Sequence, residues 1–113
     1  MPRLEKLEGT AWRDLVQAPV AVLVLGKSDC EACRAWSEEI EQFLAQGGEE
    51  TAGVRFGKIV LDERGLIDFK RANPWIAGLD VLPFTQIWVD GERSKSFAGG
   101  GIERLRNRLR SVR

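Results

Sequence analysis

Residues 20–36 read Val-Ala-Val-Leu-Val-Leu-Gly-Lys-Ser-Asp-Cys-Glu-Ala-Cys-Arg-Ala-Trp, and this stretch constrains the fold more than any other. Val20 to Leu25 carries no polar residue, as a strand covered on both faces should. Gly26 and the polar turn Lys27-Ser28-Asp29 end it, and Cys30 and Cys33 then open a long amphipathic segment. Two cysteines at this spacing in a first helical turn bring their sulfurs near enough to bond. Cys30 at the helix start also faces unpaired N–H groups and the positive end of the helix dipole, which favour its thiolate. A Cys-x-x-Cys pair at a strand-to-helix junction therefore points to thiol–disulfide redox chemistry. Two plainer readings compete with it. The cysteines could be small buried residues of an inert domain. They could also hold zinc, with two further ligands drawn from carboxylates or a second chain.

Composition narrows the field. The chain has 113 residues, enough for one domain with a real core, expected to span 1–113. Its 17 basic and 17 acidic residues cancel, so no global field draws it to nucleic acid or to a membrane surface. No apolar run approaches the roughly 20 residues that span a bilayer. The start, Met1-Pro2-Arg3-Leu4-Glu5-Lys6-Leu7-Glu8, has no signal-peptide apolar region, which gives a cytoplasmic expectation. With only two cysteines a disulfide scaffold is excluded and a transient, working disulfide is favoured. The absence of histidine removes the usual general base, the usual metal ligand and any Cys-His nucleophile pair.

In chain order, Leu4 and Leu7 belong either to a first strand or to a packed arm. Trp12, Leu15 and Val16 follow Thr10, a candidate N-cap, at helical spacing, and Pro19 ends that helix. After the cysteines, Trp36, Ile40, Phe43 and Leu44, with Ala45 at its margin, continue the Cys33 stripe until Gly47-Gly48 stops it. Trp36 reads as core packing. Val54 to Leu61 is the next strand, with Asp62 a candidate cap for a helix through Leu66, Ile67, Phe69 and Lys70 that Asn73-Pro74 breaks. Trp75 to Ala77 make a further turn closed by Gly78. Phe84 to Val89 and Arg93 to Phe97 form a hairpin across Asp90-Gly91, the second strand being a short polar edge. A last helix carries Ile102, Leu105, Leu109 and Val112 on one side. This pattern predicts an α/β fold: a mixed central sheet of about four to five strands with helices on both faces. Arg104, Arg106, Arg108, Arg110 and Arg113 crowd the last helix, which reads as a solvated face or, more sharply, a docking surface for an acidic partner. No aromatic platform interleaves these arginines, which disfavours nucleic acid.

From about Val20 onward the chain resembles the thioredoxin superfamily. Three features carry the resemblance: strand, Cys30-Glu31-Ala32-Cys33 and helix; Gly78-Leu79-Asp80-Val81-Leu82-Pro83-Phe84, similar to the family's approach to its cis-proline; and Gly91 and Gly99 after Pro83. The resemblance implies a thioredoxin-like fold in which a cis Pro83 packs beside the two sulfurs. It implies that Cys30 attacks a disulfide, that Cys33 resolves the mixed disulfide, and that the Leu82 backbone hydrogen-bonds an extended substrate. Leu82, Pro83, Asp29 and Gly99 are the expected substrate-binding set. Substrates would be protein disulfides or small thiols, electrons would come from an upstream reductase or a thiol donor, and the protein would act as a monomer with no bound cofactor and no metal. The departures are specific. Asp29 stands where thioredoxin commonly has tryptophan, and Glu31-Ala32 replaces its Gly-Pro. The buried acid that thioredoxin keeps in the preceding strand would fall near Val24, so that proton acceptor is missing, and the Arg64 to Gly78 region is longer. They mark a divergent member and leave a rival open, a redox-inert interaction module using the groove beside Pro83.

Local charge sets an expectation for the nucleophile. Asp29 and Glu31 flank Cys30 and disfavour its thiolate, while Lys27 and the helix start favour it. Exposed charges contribute a few tenths to about 1 kcal/mol each, so these effects roughly offset. The pair is then expected to behave as a reducing couple built on a near-ordinary thiol, not as a strong oxidant.

Overall fold

The computed structural model describes residues 2–113. The elements run β1 (Leu4–Lys6), α1 (Ala11–Val16), β2 (Val20–Gly26), α2 (Glu31–Gln46), β3 (Val54–Val60) and α3 (Ile67–Ala72), then a 3₁₀ turn at Pro74–Gly78, β4 (Phe84–Val89), β5 (Glu92–Ala98) and α4 (Ile102–Ser111). The five strands lie in the order β1-β3-β2-β4-β5. β1, β3 and β2 run parallel, while β4 is antiparallel to β2 and β5 to β4.

The apolar run of β2 is explained by its place at the centre of this sheet. Ala21, Leu23 and Leu25 face one layer with Trp12, Leu15 and Phe69 of α1 and α3. Val22 and Val24 face the other with Trp36 and Ile40 of α2 and Leu105 and Leu109 of α4. A strand covered twice has no position to spare for a polar side chain. The α/β architecture with helices on both faces is thus as the sequence predicts, with five strands. No helix among the described residues is long and apolar enough to cross a membrane.

Several local expectations are revised. Leu4 lies in a strand, and Leu7 packs just beyond it, its N–H donating to the Lys58 carbonyl at 2.9 Å. Thr10 occupies the N-cap position of α1 without a side-chain capping bond. Asp62 caps no helix: α3 starts at Ile67, and the Asp62 carboxylate is occupied by Ser28. Ala45 is exposed, and β5 begins at Glu92. Pro74 opens the 3₁₀ turn, where its missing N–H costs nothing. Asp90 and Gly91 both take positive φ, 51° and 85°, the conformation a two-residue hairpin requires.

The arginines of α4, with Arg113 just beyond it, turn largely inward onto their own chain. Arg106 forks onto Glu50 at 2.7 Å through two nitrogens, and Arg113 donates to the carbonyls of Glu49, Glu50 and Ala52. Arg104 and Arg108 stack over Phe97, 4.7 and 4.8 Å from its centroid. The helix therefore pins the loop between α2 and β3 and covers β5.

Candidate functional site

Cys30 is the N-cap of α2, with extended backbone (φ −106°, ψ 109°), and its Sγ accepts from the Cys33 N–H at 3.1 Å. An N-cap side chain that receives a first-turn N–H is the position where a developing thiolate is best stabilised. Cys30 and Cys33 form a disulfide, with Cα atoms 5.2 Å apart. Cys33 is only 7% exposed, whereas Cys30 is half-buried. The backbone of Gly26 presses on Cys33: a Cβ at Gly26 would lie 3.0 Å from both Cβ and Sγ of Cys33.

The sheet brings the proline to the same edge. Leu25 of β2 pairs with Phe84 of β4, so the end of β2, which feeds Cys30, adjoins the start of β4, which follows Pro83. The Leu82–Pro83 peptide is cis. Pro83 is buried and Leu82 half-buried, and the Pro83 carbonyl accepts from the Gly99 N–H at 2.7 Å. Gly99 takes φ +81°. Among the described residues the backbone N–H and carbonyl of Leu82 make no hydrogen bond. The loop continues at Gly100, which lies against the Trp36 ring, where a Cβ would come within 2.9 Å.

Lys27, Asp29 and Glu31 are exposed around Cys30, and among the described residues none of them forms an ion pair. On the side of β2 away from the proline, a cleft of about 250 Å³ reaches Cys33 between α2 and the ends of β2 and β3. Val24 and Lys58 line it as cross-strand partners. Val24, where the resemblance would put a buried acid, is 2% exposed among Trp36 and Ile40. Among the described residues no three Cys, Asp or Glu side chains converge on a metal-sized site.

Three neighbours of the site escape sequence reasoning: Ser28 with Asp62, Lys58, and the Gly26 contact. The first has a usable signal. Parallel strands in register place the residues just beyond their ends together, and Ser28 and Asp62 each follow the Gly26–Val60 pair by two positions. The hydrogen bonds from Ser28 hold the Asp62 carboxyl below the usual aspartate range, with Lys27 adding to the effect.

No family model matches the sequence, and a search of curated proteins finds no match. Solved structures do match. Spinach chloroplast thioredoxin F in its long form superposes with a TM-score of 0.77 at 15% identity, over 97% of this chain and 86% of that one. Malassezia sympodialis thioredoxin gives 0.76 at 15% identity, over 99% and 94%. A mutant thioredoxin from Halobacterium salinarum gives 0.73 at 18%, over 97% and 90%. The chain therefore has the thioredoxin fold, with a Cys-x-x-Cys disulfide at the start of α2.

Proposed function

We propose that this protein is a thiol–disulfide oxidoreductase working as a cytoplasmic, monomeric reductase. The observation that carries the reading is the Cys30–Cys33 disulfide at the start of α2, at the same end of the sheet as Leu82 and Pro83, with Cys30 the more exposed of the two cysteines.

In the reduced state the Cys30 thiolate attacks a substrate disulfide, one substrate sulfur leaving as thiolate and the other bonding Cys30. Cys33 then loses its proton to solvent and attacks Cys30 Sγ. The second substrate thiolate departs and the Cys30–Cys33 disulfide forms. Two electrons pass to the substrate, and an upstream reductase or a small thiol returns them, with no bound cofactor. Leu82 offers its backbone to an extended substrate segment, and Asp29 and Gly99 border that segment.

The test is the midpoint potential of the Cys30/Cys33 couple, by equilibration in thiol buffers with mass detection. The reading predicts a reversible value at or below about −230 mV. A value of about −180 to −120 mV would assign the protein to oxidation or isomerisation instead. No reversible couple would leave a redox-inert interaction module. Cys33→Ser is expected to accumulate mixed disulfides through Cys30, detectable by non-reducing electrophoresis and lost in a Cys30→Ser/Cys33→Ser double variant.

A further inference from the structure

We propose that Asp62 is a positioning residue for the nucleophile, clasping the loop that delivers Cys30 to the start of α2. The inference rests on the function proposed above only in taking Cys30 as the reacting thiol.

Three residues, Lys27, Ser28 and Asp29, connect β2 to Cys30, and all three are exposed. None contributes a side chain to the core, so packing does not fix their path. What fixes it is a set of three hydrogen bonds to the chain leaving β3. The Leu61 N–H donates to the Gly26 carbonyl at 2.7 Å. Two residues beyond Gly26, the Ser28 N–H donates to Asp62 Oδ1 at 3.0 Å and the Ser28 hydroxyl donates to Asp62 Oδ2. Both oxygens of one carboxylate are thus spent on one residue, and bonds to an ionised acceptor are stronger than neutral ones. The Asp62 carboxyl lies below its usual range chiefly because of the Ser28 hydroxyl bond, so the clasp is closed at neutral pH. Glu63, the next residue, pairs with Lys6, the last residue of β1, at 2.7 Å.

The consequence falls on Cys30 Sγ. Its stabilisation depends on staying at the helix start, where the Cys33 N–H reaches it at 3.1 Å. A loop free to wander spends part of its time with the sulfur elsewhere, and the thiolate fraction falls. The carboxylate's charge acts in the opposite direction, since an anion near a forming thiolate disfavours it. Geometry and charge therefore predict effects of opposite sign on removal of the side chain. Lys27, Asp29, Glu31 and Arg34, the other charges around Cys30, are unchanged in every variant below.

The experiment is the pH profile of iodoacetamide alkylation of Cys30 in the fully reduced protein, read by mass spectrometry. The Cys30 thiolate displaces iodide, so the rate at a given pH reports the thiolate present. Asp62→Ala is expected to react about three- to tenfold more slowly near neutral pH, with its profile displaced to higher pH. Asp62→Asn keeps an acceptor for the Ser28 N–H while removing the charge, and is expected to match or exceed the wild-type rate. Ser28→Ala, which keeps the backbone donor, is expected to fall between Asp62→Ala and wild type. A rate for Asp62→Ala equal to or above wild type overturns the proposal, as does an Asp62→Asn as slow as Asp62→Ala. Alkylation needs no turnover. A wild type without a reversible Cys30/Cys33 couple would thus sink the proposed function while leaving this rate comparison to decide the clasp.

Discussion

Two strand glycines show how single residues divide the work between stability and chemistry. Gly57 of β3 accepts Leu15 and Leu7 so closely that a Cβ would lie 2.7 and 2.8 Å from their Cδ1 atoms. Gly26 accepts Cys33 at 3.0 Å on the opposite face of the sheet. Either Gly→Ala change forces a neighbour to move, at a cost of about 1–3 kcal/mol by the usual penalty for overpacking. Denaturant titration of Gly57→Ala and Gly26→Ala is expected to show losses of that size in both. Only Gly26→Ala is expected to move the midpoint potential, because only there is the displaced neighbour a redox sulfur. Equal potentials in the two variants would contradict this division. In the sequence Gly26 is legible as the end of an apolar run, but its pressure on Cys33 is tertiary and has no local signature. The two cysteines and Pro83 are legible because their chemistry is rare and their spacing short.

At the scale of elements, legibility follows length. The helices α2 and α4 announce themselves through long apolar stripes, Cys33 to Leu44 and Ile102 to Val112, that recur at helical period. α1 and α3 have six residues each, too few for a period to outvote other uses of the flanking polar residues. Hence Thr10 sits at the N-cap of α1 without a capping bond, and Asp62, which looks like a cap, binds Ser28 instead. These two short helices hold each other through one carboxylate. Asp68 of α3 takes a forked pair of bonds from Arg13 at 2.8 Å and a third from the Trp12 indole at 3.0 Å, while Trp12 meets Phe69 edge-on. The Arg13 bonds, with help from Trp12, hold the Asp68 carboxyl below its ordinary range. A depressed carboxyl contributes stability that is present above its unfolded-state value and is lost as pH falls through the folded-state value. Glu50, forked onto Arg106, and Asp62, bound by Ser28, carry the same sign. Thermal midpoints followed from about pH 6 down to about pH 2 should therefore fall in the wild type and fall less steeply in Asp68→Asn. Parallel curves would show that the Arg13 fork contributes nothing measurable.

For the whole molecule, the proposed redox role and the folding stability are two sides of one thermodynamic cycle. The order of elements and the sequence of cysteine pair, cis-proline and glycine loop make the architecture readable although the three solved structures named above share only 15–18% of their residues with it. What that order leaves open is the direction of electron flow, and the cycle supplies an independent reading of it. Oxidising the dithiol in the folded protein and unfolding the result must cost the same as unfolding first and oxidising the free chain. If the native couple is more reducing than the couple in the unfolded chain, the disulfide is favoured more in the native state. The oxidised protein is then the more stable form, by about 1.4 kcal/mol for each 30 mV between the two couples. An oxidant must show the reverse order, because its reduced form is the one the fold stabilises. The reductase assignment therefore predicts a higher denaturant midpoint for the oxidised than for the reduced protein. The gap should also equal the difference between the potential of the native protein and that of a peptide spanning Ser28 to Ser37. A reduced form more stable than the oxidised one would contradict the assignment without any substrate having been identified.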